Sequence, residues 1–375
     1  MKGGRLVFMK ATINGVKIKG MCVAVPDNVQ KFEDDMRHFP FTEKSSLRLA
    51  KAMGFKEHRI SDPQTTVCDF ASYTINYLFH KGYITKEEMQ AMIIVSQSQD
   101  HPVPVNSKVI HGQLELSKSV YCMDLYENCT GFISGLYAAC SMLASSDIDE
   151  VLLVTTEAGA CYGNMKDRNT YPLIGDAAAV TVVGKSDSPK DKIDFMFSND
   201  GAGRSALIVP AGRLRMPYSE ETSKIYRDEM GNYRSLNNLY MDGTAVFQFV
   251  MEEVPPLVEE ICRYADISKD ELQYYIMHQP NKFMLEKLAD LMEVPREKLF
   301  NNVVEYFGNT SCVTIPVAAA YNLGEKLVSE CYKTCFAAFG AGLSLAAAIT
   351  DFGNLDFCDM IEHPGKGTVA YQPKY

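Results

Sequence analysis

The chain has no tryptophan, no Cys-x-x-Cys pair and no apolar run long enough to cross a bilayer. Its longest apolar candidate, Phe336 to Ile349, falls short of the roughly 18 residues a span requires, so a membrane is not an expected partner. Basic residues are in deficit: 37 Lys and Arg against 47 Asp and Glu give a formal charge of −10. That argues against a nucleic-acid binder, which needs a dense basic face to neutralise phosphates. The eleven cysteines are scattered, which suits reduced thiols in the cytoplasm better than a disulfide framework or a zinc site. His101 and His111, with Asp100 nearby, fit no metal-ligand spacing, and no metal is expected. Only a short apolar stretch follows Met1 before Lys10, so a signal peptide is not expected. The Gly-x-Ser-x-Gly elbow, the phosphate loop and His-Glu-x-x-His are absent as well, and with them the chemistries those motifs serve.

What is present reads as an α/β protein. Apolar content of 46% and charged content of 22% over 375 residues allow a large buried core. Short apolar runs alternate with helix-like segments, the pattern of largely buried strands. Strands are expected at Met92–Ser96, Val151–Thr155, Ala178–Val183, Tyr274–Met277 and Cys335–Phe339, and amphipathic helices at Thr65–Lys81, Val246–Ala265 and Asn281–Met292. Pro255-Pro256 predicts a kink or break in the second helix.

Two segments match in register. Tyr126-Glu-Asn-Cys129-Thr and Phe307-Gly-Asn309-Thr each run into a small-residue helix carrying Ala-Ala and then an apolar strand ending near a glycine. Cys129 and Asn309 are 180 positions apart, and each follows a strand end, at Val95 and Met277, by 34 and 32 residues. The expected organisation is a half over 1–185, a surface connection over 186–239 and a second half over 240–375. A duplicated unit with Cys in one copy and Asn in the other places the site on a pseudo-twofold axis.

Cys129 just precedes a helix start. The partial charge there predicts a thiol lowered from about 8.5 toward neutrality; a buried structural cysteine is the alternative. His278, in Tyr274-Tyr-Ile-Met-His-Gln-Pro-Asn281, ends a strand, where open α/β sheets bind ligands. Alone it could be an ordinary loop histidine, and Asn309 an ordinary turn residue. Phe339-Gly340-Ala341-Gly342 is not a dinucleotide fingerprint, and its glycines let backbone N–H groups approach a carbonyl oxygen.

Together, Asn-Cys129-Thr-Gly-Phe, His278-Gln-Pro-Asn, Gly308-Asn309-Thr-Ser and Phe339-Gly-Ala-Gly resemble the β-ketoacyl-[acyl carrier protein] synthase III family of the thiolase superfamily. Gly54-Phe-Lys-Glu-His-Arg, Ile174-Gly-Asp176-Ala-Ala and Tyr240-Met-Asp-Gly-Thr244-Ala-Val-Phe247 extend the resemblance nearly end to end. It implies a five-layered αβαβα fold with internal pseudo-twofold duplication, a cytoplasmic homodimer, and no bound cofactor. Acyl-coenzyme A and malonyl-carrier protein would be the substrates, and acyl carrier protein a partner. Cys129 would carry the acyl group, His278 and Asn309 would assist decarboxylation, and the backbone N–H groups of Cys129 and Ala341 would form the oxyanion hole. Val103, Thr244, Phe247, Gly340 and Gly342 would line the substrate site, with Val103 at the gate. Lys282, Arg213 and Arg215 would meet the carrier.

The departures concern donor recognition. No Trp is available, and Ala52-Met53 stands where the family has an Arg, which points to a specialised lipid, polyketide or glycoconjugate pathway. Two rivals remain open: an acyltransferase passing the acyl group to an alcohol or amine, and a non-catalytic partner subunit of another synthase.

Overall fold

The computed structural model describes residues 8–188 and 190–364; Met1–Val7, on which much of the signal-peptide reading rests, lies outside them. Eleven strands build two central sheets: β1 (Met9–Asn14), β2 (Val16–Pro26), β3 (Ala91–Val95), β4 (Tyr121–Leu125), β5 (Glu150–Ala158), β6 (Asp176–Lys185), β7 (Lys192–Asn199), β8 (Tyr274–Met277), β9 (Cys331–Gly340), β10 (Ser344–Gly353) and β11 (Phe357–His363). Their order is β11-β2-β6-β5-β3-β4 in one sheet and β1-β7-β10-β9-β8 in the other.

Four strands repeat between the sheets in the same order and sense. Along β2, β6, β5 and β3 the successive pairings are antiparallel, antiparallel and parallel. Along β7, β10, β9 and β8 they are the same. The chain ends cross between these units, since β1 pairs with β7 and β11 pairs with β2. Strand β7 corrects the surface connection expected from residue 186: Ile193, Phe195 and Met196 are buried inside a sheet, and the surface excursion begins only after Asn199. Its flanking charges, Lys192 and Asp194, mask the apolar run in the sequence.

The helices used below are α1 (Val67–Lys81), α2 (Gly131–Ser145), α3 (Gly243–Ala265), α4 (Lys282–Met292) and α5 (Thr314–Asn322). Helices α2 and α5, rich in Ala and Gly, lie between the sheets and share one core with both: Phe132, Leu136, Ala139, Val317 and Ala318 pack with Val23, Ile93, Phe195 and Phe336. Helix α1 covers the outer face of the first sheet, and α3 with α4 that of the second, giving five layers. Helix α3 runs through Pro255 and Pro256 without the break that was one of the two outcomes expected there. Val250, Val254, Leu257, Val258 and Ile261 are buried along it, at about 1.5–3 kcal/mol each. That outweighs the roughly 3 kcal/mol each proline costs a helix interior.

One backbone contact joins the loops that carry the site. Asn309 N donates to Leu173 O at 2.6 Å and Gly175 N donates to Asn309 O at 3.1 Å. The approach requires glycine on both sides. A Cβ on Gly175 would stand 1.9 Å from Phe307 O, and one on Gly308, which has φ +72°, would stand 2.7 Å from Ile174 O. Gly175→Ala is therefore expected to open this bridge and destabilise the fold by about 3 kcal/mol. Denaturant unfolding checks this, and an unchanged midpoint contradicts it.

Candidate active site

Cys129 sits immediately before Thr130, the cap of α2, and is 9% exposed. The turn is closed by Gly131 N donating to Asn128 O at 2.7 Å and by Thr130 Oγ1 donating to Glu127 Oε2 at 3.1 Å. The end of β9 lies against it. A Cβ on Gly340 would fall 2.8 Å from Cys129 Sγ, so only glycine allows this approach. Ala341 O accepts from Ser344 Oγ at 2.9 Å and from Asn128 Nδ2 at 3.4 Å, tying the two loops together.

Burial pushes the Cys129 thiol up to about 12, while the Ser311 hydroxyl and the amides of Cys129 and Ala341 pull the other way. This overturns the lowered thiol expected from the helix end. A helix terminus supplies about 0.3–1 kcal/mol, less than one pH unit, whereas burial moves a group by up to about 3–5 units. Cys129 rests as a neutral thiol.

His278 follows β8 and is anchored by its N–H donating to Ala337 O at 2.8 Å. Its Nδ1 lies 2.8 Å from Thr314 Oγ1, which is itself 2.9 Å from Ser311 O, and the ring meets Phe339 edge-on at 5.6 Å. Burial holds the imidazole down to about 3, opposed by the Ser311 carbonyl, so the ring is neutral at physiological pH. Where the Thr314 hydroxyl proton points sets the tautomer: directed at Nδ1, it leaves Nε2 as a donor. Asn309 Oδ1 accepts from Ser311 N at 2.9 Å, which leaves its Nδ2 donor for a ligand.

Cys129, His278 and Asn309 converge on one cavity of about 550 Å³, together with Gly340 and Ala341. Its walls are largely apolar, with Leu207, Ile208, Val246, Phe249 and Val250 on one side. Arg213 also lines it, with its guanidinium 6.0 Å from the Tyr126 ring.

Other predicted contacts fall outside the lining. Thr244 and Phe247 face away because α3 presents Val246, Phe249 and Val250, at i, i+3 and i+4, to the cavity; Phe247 stacks instead on Phe283. Gly342 belongs to the adjoining turn, and Val103 is 82% exposed and away from the cavity. Lys282 is paired with Glu305 at 3.2 Å, and Arg215 is exposed. Sequence reasoning missed Glu157, which is 1% exposed and lines the cavity. Its signal was a carboxylate closing the uncharged run Val151 to Thr156. Among the described residues no cluster of His, Cys, Asp and Glu could hold a metal, every cysteine is a free thiol, and no helix is long and apolar enough to cross a membrane.

This arrangement can be compared with known proteins. The profile of the 3-oxoacyl-[acyl-carrier-protein] synthase III family matches residues 123–201, and that of its C-terminal region matches residues 262–352. A β-ketoacyl-[acyl-carrier-protein] synthase III of Fusobacterium nucleatum is 27% identical over 340 residues, covering 90% of this chain and 98% of that protein. The crystal structure of a 3-oxoacyl-(acyl-carrier protein) synthase from Burkholderia xenovorans LB400 superposes with a TM-score of 0.87 at 28% identity, covering 95% of this chain and 99% of that one. In sequence and fold the chain is a ketoacyl synthase III-like condensing enzyme.

In this condensing enzyme the buried histidine has a consequence for acid stability. The unfolded ring takes a proton near 6.5 and the folded ring only near 3. Its stabilising contribution is therefore whole above about pH 6.5 and is lost as pH falls toward 3, at about 1.4 kcal/mol per pH unit. Between pH 7 and 5, His278→Asn is expected to lose about 2 kcal/mol less stability than the parent. Denaturant titrations at both pH values measure this, and equal losses contradict it.

Proposed function

We propose that this condensing enzyme takes an acyl group from coenzyme A onto Cys129 as a thioester and joins it to a malonyl unit delivered on acyl carrier protein, releasing carbon dioxide. The observation that carries the reading is the locked amide of Asn309. Its oxygen is occupied by the Ser311 N–H, so a donor is what it offers beside a buried thiol and a neutral imidazole.

Decarboxylation of a malonyl thioester needs no base; it needs a place for developing negative charge. Breaking the bond to the carboxylate carbon sends its electron pair into an enolate, whose oxygen receives hydrogen bonds from Asn309 Nδ2 and His278 Nε2–H. With the Thr314 hydroxyl turned from Ser311 O to Nδ1, the ring presents that donor. A neutral imidazole stabilises the enolate without the acidity of an imidazolium, which would quench the carbanion. The carbanion attacks the acyl carbon on Cys129, the amides of Cys129 and Ala341 hold the oxyanion, and collapse breaks the C–S bond to release the Cys129 thiolate, which takes a proton from solvent to return the thiol.

Arg213, exposed at the cavity wall, is our choice for meeting the phosphate of the carrier's pantetheine arm; Lys282 is engaged by Glu305. The apolar walls favour a hydrocarbon starter. The Val103 loop, exposed on its own protomer, supports a homodimer in which it faces the neighbour's cavity. A specialised pathway remains our proposal on the departures near Ala52.

Intact-protein mass spectrometry with a panel of acyl-coenzyme A thioesters, followed by malonyl-carrier protein, tests the reading. A Cys129 adduct discharged with carbon dioxide release is expected. Asn309→Ala should still load acyl groups while decarboxylation slows by about 10²–10³-fold. An adduct that only an alcohol or amine discharges would replace this reading with the acyltransferase one. No adduct from any donor would overturn it.

A further inference from the structure

One buried ionisable group in the cavity has no part in the steps above. Glu157 lies on β5 among Val154, Thr155 and Thr156, all buried. Its Oε1 accepts from Ser98 Oγ, and its Oε2 is buried without a hydrogen-bond partner. Among the described residues that line the cavity, Arg213 is the one lysine or arginine, and it is exposed.

The groups whose charge or polarity Glu157 senses come from every element around it. Ser98 and Gln97 follow β3, and Asp176 opens β6. Cys161 and Tyr162 follow β5, while Cys129 and Cys312 stand at the starts of α2 and the segment leading into α5. Burial and the Asp176 charge raise its carboxyl to about 7, against the pull of Ser98 and the amides of Gln97 and Ala158. A native carboxyl held that high costs stability at neutral pH. The unfolded carboxyl releases its proton near 4.5, so stability falls as pH rises from there to about 7 and stays lowered above it. A buried carboxyl retained at such a cost, in a cavity it shares with Cys129 and with its charge acting on that thiol, calls for a function.

We infer that Glu157 is the proton acceptor for Cys129 during acyl loading. This rests on the proposed thioester chemistry. The thiol proton passes to Glu157 Oε2 as Sγ attacks the acyl carbonyl carbon, and the new S–C bond leaves an oxyanion on the amides of Cys129 and Ala341. Collapse breaks the bond to the donor's sulfur, and the departing thiolate takes the proton back from Glu157. No other reactant is needed. His278 serves this step poorly: from a thiol near 12, transfer to a carboxyl near 7 is far less uphill than transfer to an imidazole near 3. The two titratable side chains then divide the reaction, Glu157 serving loading and His278 serving decarboxylation.

The test is the rate of Cys129 acylation by an acyl-coenzyme A, followed by rapid-quench intact-mass measurement across pH 5 to 9 in the parent, Glu157→Gln and Glu157→Asp. In the parent the rate should rise with pH through an inflection near 7. In Glu157→Gln it should be about 10²-fold slower and lose that inflection, with Glu157→Asp partly active and the inflection kept. The Gln variant should also be at least as stable as the parent above pH 7, which separates slow loading from misfolding. Loading by Glu157→Gln at the parent rate with the parent pH profile would overturn the inference and leave the condensing reading intact. Failure of the parent to acquire any adduct would overturn both.

Discussion

The bridge between Ile174 and Asn309 is the contact on which the rest of the site depends, because it brings together loops from the two repeated units and holds them closer than side chains permit. Gly175 and Gly308 meet there backbone to backbone. Asn309, fixed at the bridge, orients its amide through Ser311 N. Thr314 Oγ1 lies 2.9 Å from Ser311 O and 2.8 Å from His278 Nδ1, joining both to the same turn. On the other side, Gly340 brings the end of β9 against Cys129. The duplicated fold thus supplies Cys129 from one unit and both donors from the other.

Such close approach buries Cys129, His278 and Glu157, and burial shifts the protonation of each. The thiol rises, the imidazole falls and Glu157 rises toward neutrality, each because burial penalises its charged form. A helix end beside Cys129 is too weak to reverse this. Neutral donors suit a reaction in which charge appears only at the transition state, since they need little reorganisation when it does.

The sequence was legible where apolar periodicity or motif order carried the information. The strand cores, three amphipathic helices and the Cys129–Asn309 match are of this kind, and the convergence of Cys129, His278 and Asn309 on one cavity followed. What was hidden was set by three-dimensional packing. Strand β7 was masked by Lys192 and Asp194, and the prolines of α3 were overridden by a long buried face. Thr244 and Phe247 lie outside the cavity lining, because a motif fixes where a helix starts but not which face turns inward. Val103 lies away from its own chain's cavity, because chain position does not say whether a loop meets its own cavity or a neighbour's. The direction of the Cys129 shift could not be read either, since local spacing reveals a helix end but not the burial that outweighs it. Glu157 carried a faint signal, a carboxylate closing the uncharged run Val151 to Thr156, with no motif to mark it.

The central claim, that Cys129 works from a buried position as a neutral thiol, is tested most directly by titrating its thiolate absorbance as the difference between the parent enzyme and Cys129→Ser. The account predicts no Cys129 ionisation up to about pH 9, the thiol being held near 12. A thiolate forming at or below about pH 7.5, the range of activated cysteines, would show that the helix end prevails over burial and would contradict the account.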